Sequence, residues 1–476
     1  MQLTAVQRLW DENFCAVPSV SCPRRATPHL PDCARNLKVY VYDLPSTYHA
    51  NLLEKMERRR GKSSCDYERS ACAEIVRSRP RADNWDYSNL RQYAAEVPIL
   101  YKFMQMPQTG PEQADLFVVP WFASTELSGF EYTPWYPRNE KCVARFEALL
   151  SNLTHFAQNP SRHVFLSSRD WTFSLLRLRQ LAKSSGALLF NYGPRTAPNE
   201  ILIAPSSAGF GLPLPHLTYP AKFFLFAMMD ISINPIRRDI DSELRRLNAT
   251  HPELSILYHP IIDHRSIPLP PLRALELMSQ TLLCPIIQGD LPYQHRLFDA
   301  LVAGCVPLFL RYQLDDVDDQ PMKQPCEAWS WDAKNRSAMK GVARATLPRT
   351  ICKEQHLPYW STVDWHALTM RIDVSALSEG RLAEAIAALE ISEIVRKRRK
   401  LERMRHHFIY ERDNASPDAF SAMMVEVCNA LRDPCVGGVH VRGKPACKSE
   451  RATKDSRGSP VTMEAHGGAM RRARAG

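Results

Sequence analysis

What most constrains this chain is a pair of patterns that recurs along it. A short run of apolar and β-branched residues, too brief for a helix, is followed by a stretch in which apolar residues return at helical spacing. The run at 37–42 (LKVYVY) stops at Asp43-Leu44-Pro45 and reads as a first strand. Helical spacing holds between 93 and 106. After the turn marked by Pro107, Gly110 and Pro111 comes a continuous run at 114–120 (ADLFVVP), the kind that suits a strand covered on both faces. The alternation continues with a helix at 142–155, a strand at 163–166, a helix at 175–183, and strands at 187–190 and 201–204. A chain of this pattern is expected to build an open parallel sheet with helices on both faces.

A loop rich in proline and glycine, 205–220, separates this half from a second one that repeats the alternation: strand at 222–226, charged amphipathic helix at 236–247, strand at 254–258. Elements at 371–377 and 381–391, a basic helix from 392 to about 410, and a last helix near 417–431 close the folded part. The expected class is α/β with two facing Rossmann-like domains. The expected division is an irregular segment 1–35, a first domain 36–215, a second domain 216–435 and a tail 436–476. A length of 476 residues suits more than one domain, and 45% hydrophobic with 24% charged residues excludes wholesale disorder.

The net charge of +10 raises nucleic acid as a partner, but its distribution argues against that. From 437 to 476 nine bases stand against three acids, a net +6 in a stretch poor in large apolar residues. Such a tail cannot bury enough surface to offset the entropy of ordering and is expected to be disordered and solvated. No nucleic acid is expected as a partner.

Thirteen cysteines are scattered along the chain and not set in paired Cys-x-x-Cys knuckles, which argues against a zinc ribbon. Sequons occur at Asn152, Asn248, Asn335 and Asn414, the last followed by Pro417; the first three are the glycosylation candidates. Together these features lean toward a secretory, disulfide-permissive compartment. The first 35 residues carry Arg8, Asp11 and Glu12 and no apolar run fit for a signal peptide or an anchor. Either the protein is cytosolic, or this sequence begins downstream of an anchor.

The densest chemical signal lies between Ser279 and Leu310. A strand at 281–285 leads into a turn containing Gly289 and Asp290. A helix from about 293 to 303 then ends at Gly304, in the position favoured for a left-handed cap, and a strand follows at 306–310. A helix start of this kind offers free N–H groups and a positive dipole end to a pyrophosphate, with His295 and Arg296 in the first turn. Asp299 follows Arg296 by three residues and shares its helix face, where its carboxylate suits ribose hydroxyls. The same spacing also describes an ordinary surface ion pair.

The stretch resembles the exostosin-like glycosyltransferases of family 47. Their nucleotide-binding half carries a Cys-x-x-Pro-x-Gly segment, then Arg, an acidic residue and Gly-Cys-hydrophobic-Pro. Here these stand as Cys284, Pro285, Gly289, Arg296, Asp299, Gly304, Cys305, Val306 and Pro307. The likeness extends to 37–45 (LKVYVYDLP), 113–121 (QADLFVVPW), 162–171 (RHVFLSSRDW) and 199–205, in order, over roughly 36–430. It implies a GT-B fold, donor nucleotide sugar in the second domain and acceptor in the first, and inverting transfer without a metal. The expected donor is a UDP-sugar, and the expected acceptor is a glycan or a cell-wall or proteoglycan-type polysaccharide. Another glycosyltransferase subunit is a further candidate partner. It also implies residence in the Golgi lumen behind an N-terminal anchor.

An absent metal must be replaced by cations and oriented N–H groups, for which Arg296 with Arg237 or Arg238 is available. Asp170, at the end of a strand beside Trp171, is the candidate base, and it equally suits a helix N-cap. The family has a basic residue and Gly after the first strand of its second half, where this chain has Ala227-Met228. That keeps a non-catalytic partner or glycan-binding pseudoenzyme as the second reading. Cys284 and Cys305, at the end of one strand and the start of the next, are either a disulfide or two buried thiols; the compartment favours the bridge.

Overall fold

The computed structural model describes residues 28–49, 95–124, 140–167, 184–191, 199–205, 214–231, 235–261, 269, 271–287, 295–311, 357–373, 375–411 and 416–432. All of them lie in one compact unit, Met1–Gly438. The expected tail, Asp170, Gly289, Asp290, Asn335 and the helix expected at 175–183 fall outside the described residues.

The first sheet holds β1 (Val39–Val41), β2 (Leu116–Val119), β3 (His163–Phe165), β4 (Leu188–Asn191) and β5 (Glu200–Leu202), all parallel and in sequence order across the sheet. Helix α1 (Glu96–Gln105) and helix α2 (Glu140–Asn152) cover opposite faces. Val97, Leu100 and Phe103 of α1 pack with Val39, Val118, Val164 and Phe190, while Phe146 and Leu149 of α2 pack with Phe117, Val119, Phe165 and Leu189. The period of two along each strand divides these sets, and coverage on both sides explains why the runs read as continuously apolar.

The second sheet has the order β10-β9-β8-β6-β7. Its strands are β6 (Phe223–Asp230), β7 (Ile256–Ile261), β8 (Thr281–Ile286), β9 (Val306–Arg311) and β10 (Met370–Asp373), all parallel. Helix α3 (Pro235–Thr250) packs Ile240, Leu244 and Leu247 on the face that carries Leu225, Ala227, Leu283 and Leu308. Helices α4 (Pro271–Ser279) and α5 (His295–Ala303) cover the other face, against Phe226, Met228, Cys284 and Phe309. Short helices α6 (Trp365–Leu368), α7 (Ser375–Ser378) and α8 (Leu382–Ala387) precede α9 (Ile391–Met404) and α10 (Ala419–Arg432).

Two features lock the second sheet at the edge where its strands begin. Gly304 ends α5 at φ 69°, and its N–H reaches Leu301 O at 3.1 Å while Cys305 N–H reaches Ala300 O at 2.9 Å. A Cβ there would lie 2.6 Å from Leu217 Cδ2, so only glycine fits. The fully buried Arg398 of α9 donates to Gly304 O (3.1 Å), Thr218 O (2.8 Å) and Ser279 O (2.5 Å), gathering the ends of α4 and α5 and the linker between the sheets. Its guanidinium lies over the Tyr219 ring at 4.7 Å.

After the second sheet the chain returns to the first. Phe420 of α10 meets Phe103 edge-to-face at 5.1 Å, and Lys102 pairs with Asp418 at 2.5 Å, both side chains being almost wholly buried. Tyr359 OH accepts the N–H of Ala204 and Tyr410 OH donates to its carbonyl, each at 2.9 Å.

Cys284 and Cys305 form a disulfide with Cα atoms 5.8 Å apart. The bridge is easy because β8 extends to Ile286 and pairs Leu283 with Val306, which places Cys284 inside its strand and beside the start of β9. A second disulfide, Cys33 to Cys428 with Cα atoms 6.2 Å apart, joins the segment before β1 to α10. Among the described residues no helix is long and apolar enough to cross a membrane.

Candidate functional site

The second sheet contains a reversal in strand order. The chain passes from β6 outward to β7, then crosses back to place β8 on the other side of β6, and continues away through β9 and β10. In an open parallel sheet the crevice at the carboxyl ends of the two strands flanking such a reversal is where ligands bind, because the following helices leave on opposite faces. Here α3 follows β6 on one face and α5 follows β8 on the other. Both helix N-termini therefore open at the same crevice, each with the positive end of its dipole.

Each first turn supplies an arginine. Arg237, in the first turn of α3 behind Pro235, is 6% exposed, and Arg296 is half-buried in the first turn of α5. Burial holds the Arg296 guanidinium below its ordinary pKa; the Asp299 carboxylate opposes that, and the charge of Arg237 adds to it. Arg237 and Arg296 thus stand in the first turns of two helices that open at the same crevice, where a guanidinium and a positive dipole end together suit an anion. Arg238, one step round the helix, is exposed.

His295 Nδ1 lies 2.9 Å from Asp299 Oδ2, one turn apart, and both side chains are about four-fifths buried. A carboxylate only accepts, so Nδ1 carries the hydrogen. Asp299 thus takes its hydrogen bond from His295, and Arg296 acts on it through charge, which differs from the Arg296–Asp299 pair that the spacing suggested. A carboxylate has about four acceptor positions, so the bond from His295 does not exhaust Asp299.

The longer β6 corrects the reading of Ala227-Met228. The strand runs to Asp230, so these residues lie inside it, paired with Tyr258 and His259 and buried on opposite faces. Position 227 is not an edge position, and Arg237 stands in the first turn of the helix that follows the strand.

At the carboxyl edge of the first sheet the polar groups are knit together. Ser124 N–H donates to Glu96 Oε1 at 2.7 Å, and the Ser124 and Ser167 hydroxyls meet at 2.8 Å, all three residues being fully buried. Asn191, the last residue of β4, is 1% exposed, and its Oδ1 takes no hydrogen bond among the described residues. No sequence signal marks Asn191, since it looks like a turn residue.

His163, from the 162–171 motif, is a satisfied core histidine. Nδ1 donates to Asn159 O at 2.7 Å, Nε2 accepts from Tyr42 OH at 2.8 Å, and the ring stacks on Phe117 with centroids 4.7 Å apart. Burial, with a smaller push from His155, lowers its pKa to about 4, and burial raises that of Tyr42 to about 12. Asn152 and Asn248 are exposed on the last turns of α2 and α3. Among the described residues no group of three or more His, Cys, Asp or Glu is set to hold a metal ion.

Residues 33–388 match the family described as the Exostosin GT47 domain. No curated protein matches the chain. Among solved structures, the glycotransferase of kitacinnamycin overlaps 82% of this chain and 85% of its own at 13% identity. Its TM-score of 0.26 is too low to carry an argument.

Proposed function

Because the chain belongs to the exostosin GT47 family and is a glycosyltransferase, we propose that it moves a sugar from a nucleoside diphosphate donor, UDP in the first instance, to a saccharide acceptor with inversion at the anomeric carbon. The observation that carries this reading is the placement of Arg237 and Arg296 in the first turns of the two helices that open at the reversal of the second sheet. An acceptor hydroxyl oxygen attacks C1 of the donor sugar from the face opposite the diphosphate. The bond from C1 to the diphosphate oxygen breaks, and the hydroxyl proton passes to a base, for which Asp170 is proposed. Negative charge grows on the leaving diphosphate, where the two guanidiniums and the N-termini of α3 and α5 stabilise it. Asp299, held by His295, accepts from the ribose hydroxyls, and the amide oxygen of Asn191 is offered to the acceptor.

The Golgi lumen is the compartment proposed, supported by the two disulfides. A non-catalytic partner or glycan-binding pseudoenzyme stays the second reading, because the chain has Ala227-Met228 where the family has a basic residue and Gly. The test is transfer from a panel of nucleoside diphosphate sugars to saccharide acceptors, with product anomers read by NMR and UDP binding by calorimetry. Inverted product and UDP binding are expected; absence of both turnover and UDP binding would bring the reading down.

A further inference from the structure

Away from the crevice, at the edge where β2 and β3 begin, the surface holds a cavity of about 370 Å³. Its lining is mainly polar: Glu112, Thr154, Gln158 and Arg162 supply acceptors and donors, with Pro111 beside them. That volume lies in the range of small-ligand pockets. Several hydrogen-bonding groups around one cavity suit the hydroxyl-bearing edge of a sugar ring.

An independent feature says which sugar is within reach. Thr154 lines the cavity and is also the third residue of the sequon Asn152-Leu153-Thr154. Leu153 is buried and anchors the segment, while Asn152 stands exposed at the end of α2 with Nδ2 donating to Ala148 O at 2.9 Å. An asparagine that carries a sugar keeps one N–H on Nδ2, so this bond is compatible with glycosylation.

We propose that Asn152 is N-glycosylated and that the first sugars of its own glycan seat in this cavity. The inference rests on the lumenal reading. The modification joins Asn152 Nδ2 to C1 of an oligosaccharide carried on a lipid diphosphate. The bond from C1 to the diphosphate oxygen breaks, the amide gives up one proton, and the lipid diphosphate leaves. Asn248 offers the contrast: its sequon threonine, Thr250, turns its hydroxyl back to Arg246 O at 2.9 Å on the exposed last turn of α3.

The experiment uses the full-length protein purified from its native cells. Peptide mapping reads occupancy at Asn152 and Asn248 and the state of Cys284 and Cys305, and peptide-N-glycosidase release is timed on native and on unfolded protein. Expected are an occupied Asn152 and release at least tenfold slower from the native than from the unfolded chain. The variant Glu112→Ala with Gln158→Ala should remove most of that difference. Equal release rates, or a bare Asn152 alongside an intact disulfide, overturn the inference and leave the lumenal reading standing. Bare sequons together with free thiols at Cys284 and Cys305 overturn both.

Discussion

The two sheets share strand number, parallel pairing and helices on both faces, yet their carboxyl edges differ in kind. Across the first, the described strands follow in sequence order, and at the edge Ser124 bonds both Glu96 and Ser167, all buried, while Asn191 ends β4 with its amide oxygen unbonded among the described residues. Across the second, the order reverses between β6 and β8, and the edge presents an arginine from the first turn of each of two helices. The reversal sets α3 and α5 on opposite faces beside adjacent strands, and the first turn of each carries an arginine at the carboxyl edge.

The sharpest way to break this contrast is to remove the cation. Arg296→Ala is expected to lower kcat/KM by about 10²–10³, or roughly 3–4 kcal/mol of transition-state stabilisation, the range for losing one preorganised donor to a developing charge. The thermal midpoint should hold. A fall in midpoint that accounts for the lost activity would return Arg296 to a structural role. Next, Asp299→Asn should weaken UDP-sugar binding by about 1–3 kcal/mol with little change in stability. An equal loss of fold and binding would mean that the His295–Asp299 bond serves α5 alone.

The first sheet has its own signature, set by pH. His163 has a folded-state pKa of about 4 against an ordinary value near 6.5, so protons bind the unfolded chain first as pH falls. Its contribution to stability is intact above about pH 6.5 and declines toward pH 4, by about 1.4 kcal/mol per unit. Urea midpoints at pH 7.5 and 5.0 should differ by about 2 kcal/mol from this group. His163→Gln, which keeps a donor and an acceptor but does not titrate, should shrink that difference. Hydrogen exchange at pH 5 should loosen β2 and β3 before β6 and β8; the reverse order would overturn the assignment. Smallest of all, Ser167→Ala should cost about 1 kcal/mol of stability and leave UDP affinity unchanged. Reduced UDP affinity there would show that the two edges do not divide their work as described.

Local pattern in the sequence carried most of the strands, because a strand covered on both faces shows as an apolar run wherever it lies. The helix ending at Gly304 was legible for the same reason: a left-handed cap and the residues before it lie within one turn. The end of β6 was not, since Ala227-Met228-Met229-Asp230 changes character only at its last residue while the ladder with β7 extends through all four. Helix α4 carries no cap or breaker inside its apolar pattern and went unread. In the site, the shared face of Arg296 and Asp299 followed from helical spacing, but the choice of His295 as hydrogen-bond partner depends on rotamers. Arg398 illustrates the wider limit. It sits in a run of bases that reads as a solvated helix face, and its three carbonyl partners lie 94 to 180 residues away. The Cys33–Cys428 bridge is hidden likewise, as thirteen scattered cysteines do not name their partners.

That bridge makes the protein a ring. Its two half-cystines are 395 residues apart, so nearly the whole folded chain is one closed loop sealed at α10. A single backbone cut at any point between them opens the ring without releasing a fragment, and both pieces travel together until the bridge is reduced. Pulling on the ends of the chain loads the bridge first and spares both sheets. Closing so long a loop also denies the denatured chain conformational freedom, about 6 kcal/mol in the chain-entropy description. The reversal and its two arginines thus lie within a span whose ends stay joined after a single nick and are shielded from tension at the termini.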